Sequence, residues 1–137
     1  MAAVRARNTK PEMTVRRLVH RLGYRYRLHS AGLPGRPDIV FPGRHAAIFV
    51  HGCFWHRHPE PACPFARLPK SRLDFWLPKL EANRRRDVDV LDRLQREGWR
   101  VLIVWECELR NLPDIEDRLR EFLGPRTQKE ADGANVS

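Results

Sequence analysis

Ten consecutive residues, Phe49-Val50-His51-Gly52-Cys53-Phe54-Trp55-His56-Arg57-His58, hold three histidines, a cysteine and two adjacent aromatic rings. Imidazoles and a thiol placed side by side need partners that an apolar interior does not supply, so this run cannot lie entirely in a core. Metal ligation, acid/base chemistry and ring stacking are the uses such side chains have.

The metal reading has a definite spacing. Cys53-x4-His58-x4-Cys63, with Cys107 far along the chain, supplies three thiolates and one imidazole, the closed tetrahedral set of structural zinc, and uses every cysteine present. Three cysteines suit a disulfide framework poorly and metal ligation in a reducing compartment better. His51 and His56 compete for the imidazole place, and spacing and order within the loop favour His58. A histidine left over beside such a site and near an aspartate is a candidate general base. Asp38 follows a proline and opens a strand in Arg36-Pro37-Asp38. That is a common place to hold a hard cation such as Mg²⁺, and also a common place for a turn aspartate making local hydrogen bonds. Phe54 and Trp55, on a loop pinned at Cys53, point partly outward to wedge or stack against bases, or else pack over the zinc.

Elements that could position these groups are legible in order. Thr9-Lys10-Pro11-Glu12 reads as a capping box opening a helix whose apolar face is Val15, Leu18, Val19 and Leu22, with Gly23 as its stop. Tyr24–Leu28 alternates as a half-buried strand. Asp38–Phe41, the turn Pro42-Gly43 and Ala46–Val50 make a hairpin whose second strand is apolar on both faces. Prolines at 59, 61, 64 and 69 forbid regular structure there, so a loop between them must be held by something other than backbone ladders. A long helix is predicted from about Arg72 to Glu97, its regular part beginning near Pro78. Trp99–Trp105 is a central strand by composition, and Asp114–Leu123 a final helix. The order predicts an α/β fold, a mixed sheet flanked by helices, with Asp38 and the end of the Ala46–Val50 strand side by side at its rim.

The 137 residues suit one domain. Lys and Arg number 26 against 17 acidic residues, a net charge of +9, which favours a polyanionic partner such as nucleic acid. Residues 1–8, with Arg5 and Arg7, read as a flexible basic arm able to lie along phosphates, and residues 125–137 as a disordered tail. No run approaches the ~18 apolar residues that span a bilayer, so a membrane is not expected and the cytoplasm is.

Four stretches, Arg7-Asn8-Thr9-Lys10-Pro11-Glu12, Leu33-Pro34-Gly35-Arg36-Pro37-Asp38, Phe49–His56 and Trp99–Cys107, resemble in order the very short patch repair (Vsr) DNA mismatch endonucleases, over about residues 1–123. The resemblance implies a restriction-endonuclease-like (PD-(D/E)XK-type) core in a domain spanning 1–124. It implies a Mg²⁺-dependent nick beside a T:G mismatch left by 5-methylcytosine deamination. By matching positions, Asp38 and the backbone carbonyl of Val50 would hold Mg²⁺, His56 would activate water, and His51 and Glu12 would support the site. Cys53, His58, Cys63 and Cys107 would bind the structural Zn²⁺, and Phe54, Trp55 and Trp76 would wedge into the duplex. Family members use the region of Arg5 and Arg7 across the minor groove. Action at the bacterial nucleoid, with the mismatch-repair proteins MutL and MutS as partners, is implied in the same way, and since nicking one strand at an asymmetric lesion requires no dimer, a monomer is expected. A restriction-type core usually carries Glu-x-Lys on the strand after the aspartate; here that strand ends Phe49-Val50-His51, and histidine chemistry takes its place. A restriction-like nuclease with another DNA target and a non-catalytic zinc-containing DNA-binding protein are the alternative readings.

Overall fold

In the computed structural model, which describes residues 9–29, 32–59 and 63–134, four helices surround a four-stranded sheet. The basic arm with Arg5 and Arg7 lies outside the described residues. Helix α1 (Lys10–Arg21) begins where the sequence predicts, the Thr9 hydroxyl accepting the Glu12 N–H at 3.4 Å. It buries Val15, Leu18 and Val19 against the sheet.

The strands are β1 (Arg27–Leu28), β2 (Ile39–Phe41), β3 (Ala46–His51) and β4 (Arg100–Trp105), in the order β1-β2-β3-β4. The first two pairings are antiparallel and β3–β4 is parallel, with α2 (Leu73–Arg96) as the crossover that a parallel pair requires. Ile39, Phe41 and Ile48 face α1 and α3 (Leu112–Leu123), whose Ile115, Leu119 and Leu123 complete one core. Val40 and Ala47 alternate to the opposite face and are buried too, so β3 is apolar on both sides for a reason.

Four expectations are corrected. The strand predicted over 24–28 is ladder only at Arg27–Leu28, because the Arg25 N–H donates instead to the Glu130 carboxylate at 2.7 Å. Strand β4 is an edge, not the centre. Its composition reflects partial cover by helices, and Arg118 of α3 donates to the edge carbonyl of Ile103. Helix α2 starts five residues before Pro78, with Arg72 in a left-handed turn (φ 61°) as its entry. A proline that near a helix start removes a single hydrogen bond.

The tail beyond Gly124 is the fourth. Residues 128–134 form α4 (Gln128–Ala134), docked through one carboxylate. Glu130, 3% exposed, pairs with Arg44 at 2.7 Å and accepts the Arg25 and Thr127 N–H groups. Burial alone would raise the Glu130 carboxyl, but these hydrogen bonds outweigh it and hold it down to about 2. A carboxylate lowered on folding stabilises fully above its ordinary range, and that contribution fades as pH falls through the folded value. Glu130→Gln is therefore expected to cost about 1–3 kcal/mol at pH 7 and progressively less below pH ~4. Urea denaturation at pH 7 and pH 3 checks this; an equal deficit at both would exclude the charge as its source.

Candidate active site and metal cluster

Antiparallel pairing of β2 with β3 brings the residue before β2 against the end of β3. The Asp38 N–H continues the ladder to the Ile48 carbonyl, and its Oδ2 accepts the Val50 N–H at 2.7 Å. Burial pushes the Asp38 carboxyl up to about 6; the Val50 N–H opposes the shift and nearby Glu12 adds to it. Glu12 reaches the same rim from the first turn of α1. It is 2% exposed, and its Oε2 lies 2.6 Å from His29 Nε2, so the residue that reads as a cap also directs its side chain inward.

A second group sits beside the first. His51 ends β3 and His56 follows one turn later, its N–H donating to the Gly52 carbonyl. Their rings stack with centroids 3.9 Å apart and planes 7° from parallel. Burial, reinforced by His56 and opposed by Asp87, lowers His51 to about 3, so it is neutral near pH 7, and its buried Nδ1 has no hydrogen-bond partner among the described residues. His56 Nδ1 lies 2.6 Å from Asp87 Oδ2 of α2. An ionised carboxylate only accepts, so this contact puts a proton on Nδ1, and in the neutral ring Nε2 is the acceptor. Both groups line one cleft of about 530 Å³. A larger hollow of about 980 Å³ lies at the opposite rim among Arg25, Arg27, Arg44, Arg126 and Lys129, and contains none of these clustered donors.

Only Gly52 separates His51 from the cysteine cluster. The four ligand atoms of Cys53, His58, Cys63 and Cys107 lie within 4.8 Å of one another. The loop winds back on itself, His58 N–H to Cys53 carbonyl, while Cys107, just past β4, donates its N–H to Cys53 Sγ at 3.4 Å. Burial pushes the Cys53 thiol up to about 12. A set of three thiols and an imidazole at this spacing could hold zinc, whose charge favours the thiolate. Of the three histidines in this run, His58 is the one grouped with the three thiols, and its ring stacks on Trp105 at 4.4 Å.

Phe54, Trp55 and Trp76 meet edge to face, with centroids 5.3–5.8 Å apart, all half-buried. Phe75 of α2 packs edge to face on Trp76, and Leu73, Phe75 and Leu77 are exposed. Asn83 holds the loop by donating to the Trp55 carbonyl.

Sequence reading did not single out Asp87 or His29. Asp87 stands in Asn83-Arg84-Arg85-Arg86-Asp87, which looks like a solvated helix face. Asn83 and Asp87, four residues apart and so on one side of α2, were the available signal. His29 follows an alternating strand pattern and carried no signal of its own.

Comparison with known proteins gives the same direction. The family model described as DNA mismatch endonuclease Vsr matches residues 1–61. A type II nicking enzyme of Xanthomonas oryzae pv. oryzae, V.XorIIP, is 57% identical over 125 residues, covering 91% of this chain and 90% of its own length. The DNA mismatch endonuclease Vsr of Escherichia coli K12 is 42% identical, covering 90% and 80%. Among solved structures, the catalytic domain of the homing endonuclease I-Bth0305I superposes with a TM-score of 0.56 at 19% identity, over 84% of this chain and 94% of that domain, a likeness of fold. With a mixed sheet of nuclease type and relatives matched over nine-tenths of its length, the chain belongs to the Vsr family of DNA endonucleases.

Proposed function

We propose that this endonuclease nicks one strand of duplex DNA beside a T:G mismatch, by Mg²⁺-dependent phosphodiester hydrolysis. The observation that carries the reading is the meeting, in one cleft, of the Asp38 carboxylate with the His56–Asp87 pair, beside an aromatic cluster. The names of two relatives support it from different sides, one a mismatch endonuclease and one a nicking enzyme.

The donor set at Asp38 fits a divalent cation. Two carboxylates, Glu12 and Asp38, approach closely in a buried rim, and Asp38 is raised to about 6, an arrangement that a 2+ charge relieves. Asp38 and the Val50 carbonyl would hold Mg²⁺, which when bound supplies positive charge against the scissile phosphate. His56 Nε2 is the group that takes the proton from the attacking water, with Asp87 fixing its tautomer. Neutral His51 stacks on His56 and holds the ring in place. Glu12 braces the rim through His29.

Cys53, His58, Cys63 and Cys107 bind Zn²⁺ and fix the loop carrying Phe54, Trp55 and His56. Phe54, Trp55 and Trp76 form a wedge that enters the base stack, while the +9 charge draws the backbone in, Arg5 and Arg7 taking part from the arm. One lesion on one strand needs one active site, hence a monomer. Family membership suggests MutL and MutS as partners and the bacterial nucleoid as the place of action. No helix among the described residues is long and apolar enough to cross a membrane.

Labelled duplexes with one T:G mismatch or its T:A counterpart, with and without Mg²⁺, test the proposal. The expected result is a Mg²⁺-dependent nick at the mismatch alone, reduced by roughly a thousandfold or more in Asp38→Ala. Equal cutting of both duplexes would keep the nuclease and remove the mismatch. That outcome would favour a different target, the second reading suggested by the several relatives named as type II nicking enzymes.

A further inference from the structure

We infer that His29 is a direct ligand of the catalytic cation, giving a mixed nitrogen and oxygen donor set that binds a first-row transition-metal dication such as Mn²⁺ more tightly than Mg²⁺. The inference rests on the reading of the Asp38 cleft as the cation site and deepens it.

Three side chains from three separate segments present donors to one point. Glu12 comes from α1, His29 from the end of β1 and Asp38 from the start of β2, and their ligand atoms all lie within 4.8 Å of one another. Donors around an octahedral ion with bonds near ~2.1 Å stand roughly 3 Å apart in adjacent positions and roughly 4.2 Å apart in opposite ones. His29 Nε2 and Glu12 Oε2 stand 2.6 Å apart as a hydrogen bond, whose proton a cation bound by both would displace as the two atoms part to roughly 3 Å.

The backbone aims the ring there. The His29 N–H donates to the Asp38 carbonyl at 3.2 Å, locking the two ligand-bearing residues together. His29 itself is left-handed, with φ 48°, a conformation that disfavours a side chain. Its imidazole is one-sixth exposed and Glu12 is almost wholly buried, so the pair faces the cleft and not bulk water.

The chemical consequence is selectivity. Mg²⁺ prefers oxygen and keeps its waters, whereas an imidazole nitrogen raises affinity along the first transition row. A role limited to hydrogen-bonding Glu12 would make no such distinction, and a glutamine could fill it.

Mn²⁺ titration of the full, zinc-loaded chain, read by electron paramagnetic resonance and its nitrogen modulation, tests this without reference to cleavage. The wild type should show a directly bound imidazole nitrogen. His29→Gln should lose that signal and weaken Mn²⁺ on the order of tenfold, with Mg²⁺, measured by competition, changing far less. His29→Asn provides a second variant with the same expectation. A nitrogen signal that persists in both variants overturns the inference. So does its absence from wild type when Asp38→Asn still weakens Mn²⁺; His29 then only hydrogen-bonds Glu12. Mn²⁺ binding indifferent to Asp38→Asn would overturn the cation site itself, and the inference with it.

Discussion

If the cysteine group holds zinc as proposed, Cys53→Ser is expected to abolish zinc binding and to lower the thermal midpoint by at least ~10 °C. Cys53 is fully buried, and its cluster joins the loop after β3 to the residue just past β4. Apart from that cluster the loop is held by single polar contacts, Asn83 to the Trp55 carbonyl, Arg57 to the Ala66 carbonyl and His56 to Asp87, and by the packing of Phe54 and Trp55 on Trp76. Its small apolar group is Cys53, Cys63 and Ala66 with Trp105 and Cys107, separate from the sheet's main core. Structural zinc binds small peptides with an apparent ~10–16 kcal/mol, comparable to the whole stability of an ordinary domain at about 5–15 kcal/mol. Even a few kcal/mol of that coupling to the fold matches a large-to-small core substitution at about 2–5 kcal/mol. Metal content by atomic absorption and a thermal melt decide it. A serine variant retaining one zinc per chain would remove Cys53 from the ligand set.

The second large effect concerns the proton. His56→Ala should lower the rate of strand cleavage by about 10²–10⁴ while DNA affinity changes little, since in the proposed mechanism the imidazole acts on water and not on the duplex. Asp87→Asn should cost less. It acts through His56, by fixing which ring nitrogen carries the proton, so the double variant should be no slower than His56→Ala alone. Single-turnover rates on a nicked-product assay measure all three. Additive losses would mean that Asp87 has work of its own, and a His56→Ala rate within threefold of wild type would remove the histidine from the reaction.

Local signals in the sequence located most of the elements and the ligands that stand close together in it. The Thr9 cap, the apolar run of β3 and the Gly stops each act within one turn or one strand, and the structure has all three. The cysteine spacing pointed to His58 among three histidines, and the structure groups that imidazole with the three thiols. Sheet order is not local: Val101-Leu102-Ile103-Val104 is apolar because helices cover it in part, and nothing in those residues says that no strand lies beyond. The short β1 and the helix at 128–134 share one cause, a Glu130 carboxylate that takes a backbone N–H from 105 residues away. Asp87 and His29 escaped notice for a similar reason. Each is defined by a partner distant in the chain, His56 for one and Glu12 for the other.

The placement of the four tryptophans divides the molecule optically. Trp55 and Trp76 belong to the aromatic cluster beside the cleft, Trp105 lies against His58 of the cysteine group, and Trp99 sits at the far end of β4 against His45. Intrinsic emission is thus four local signals, not one global average. On the function proposed above, two would answer to a duplex and one to the metal, while the last, a strand's length away, would stand as an internal reference against which the other three can be read.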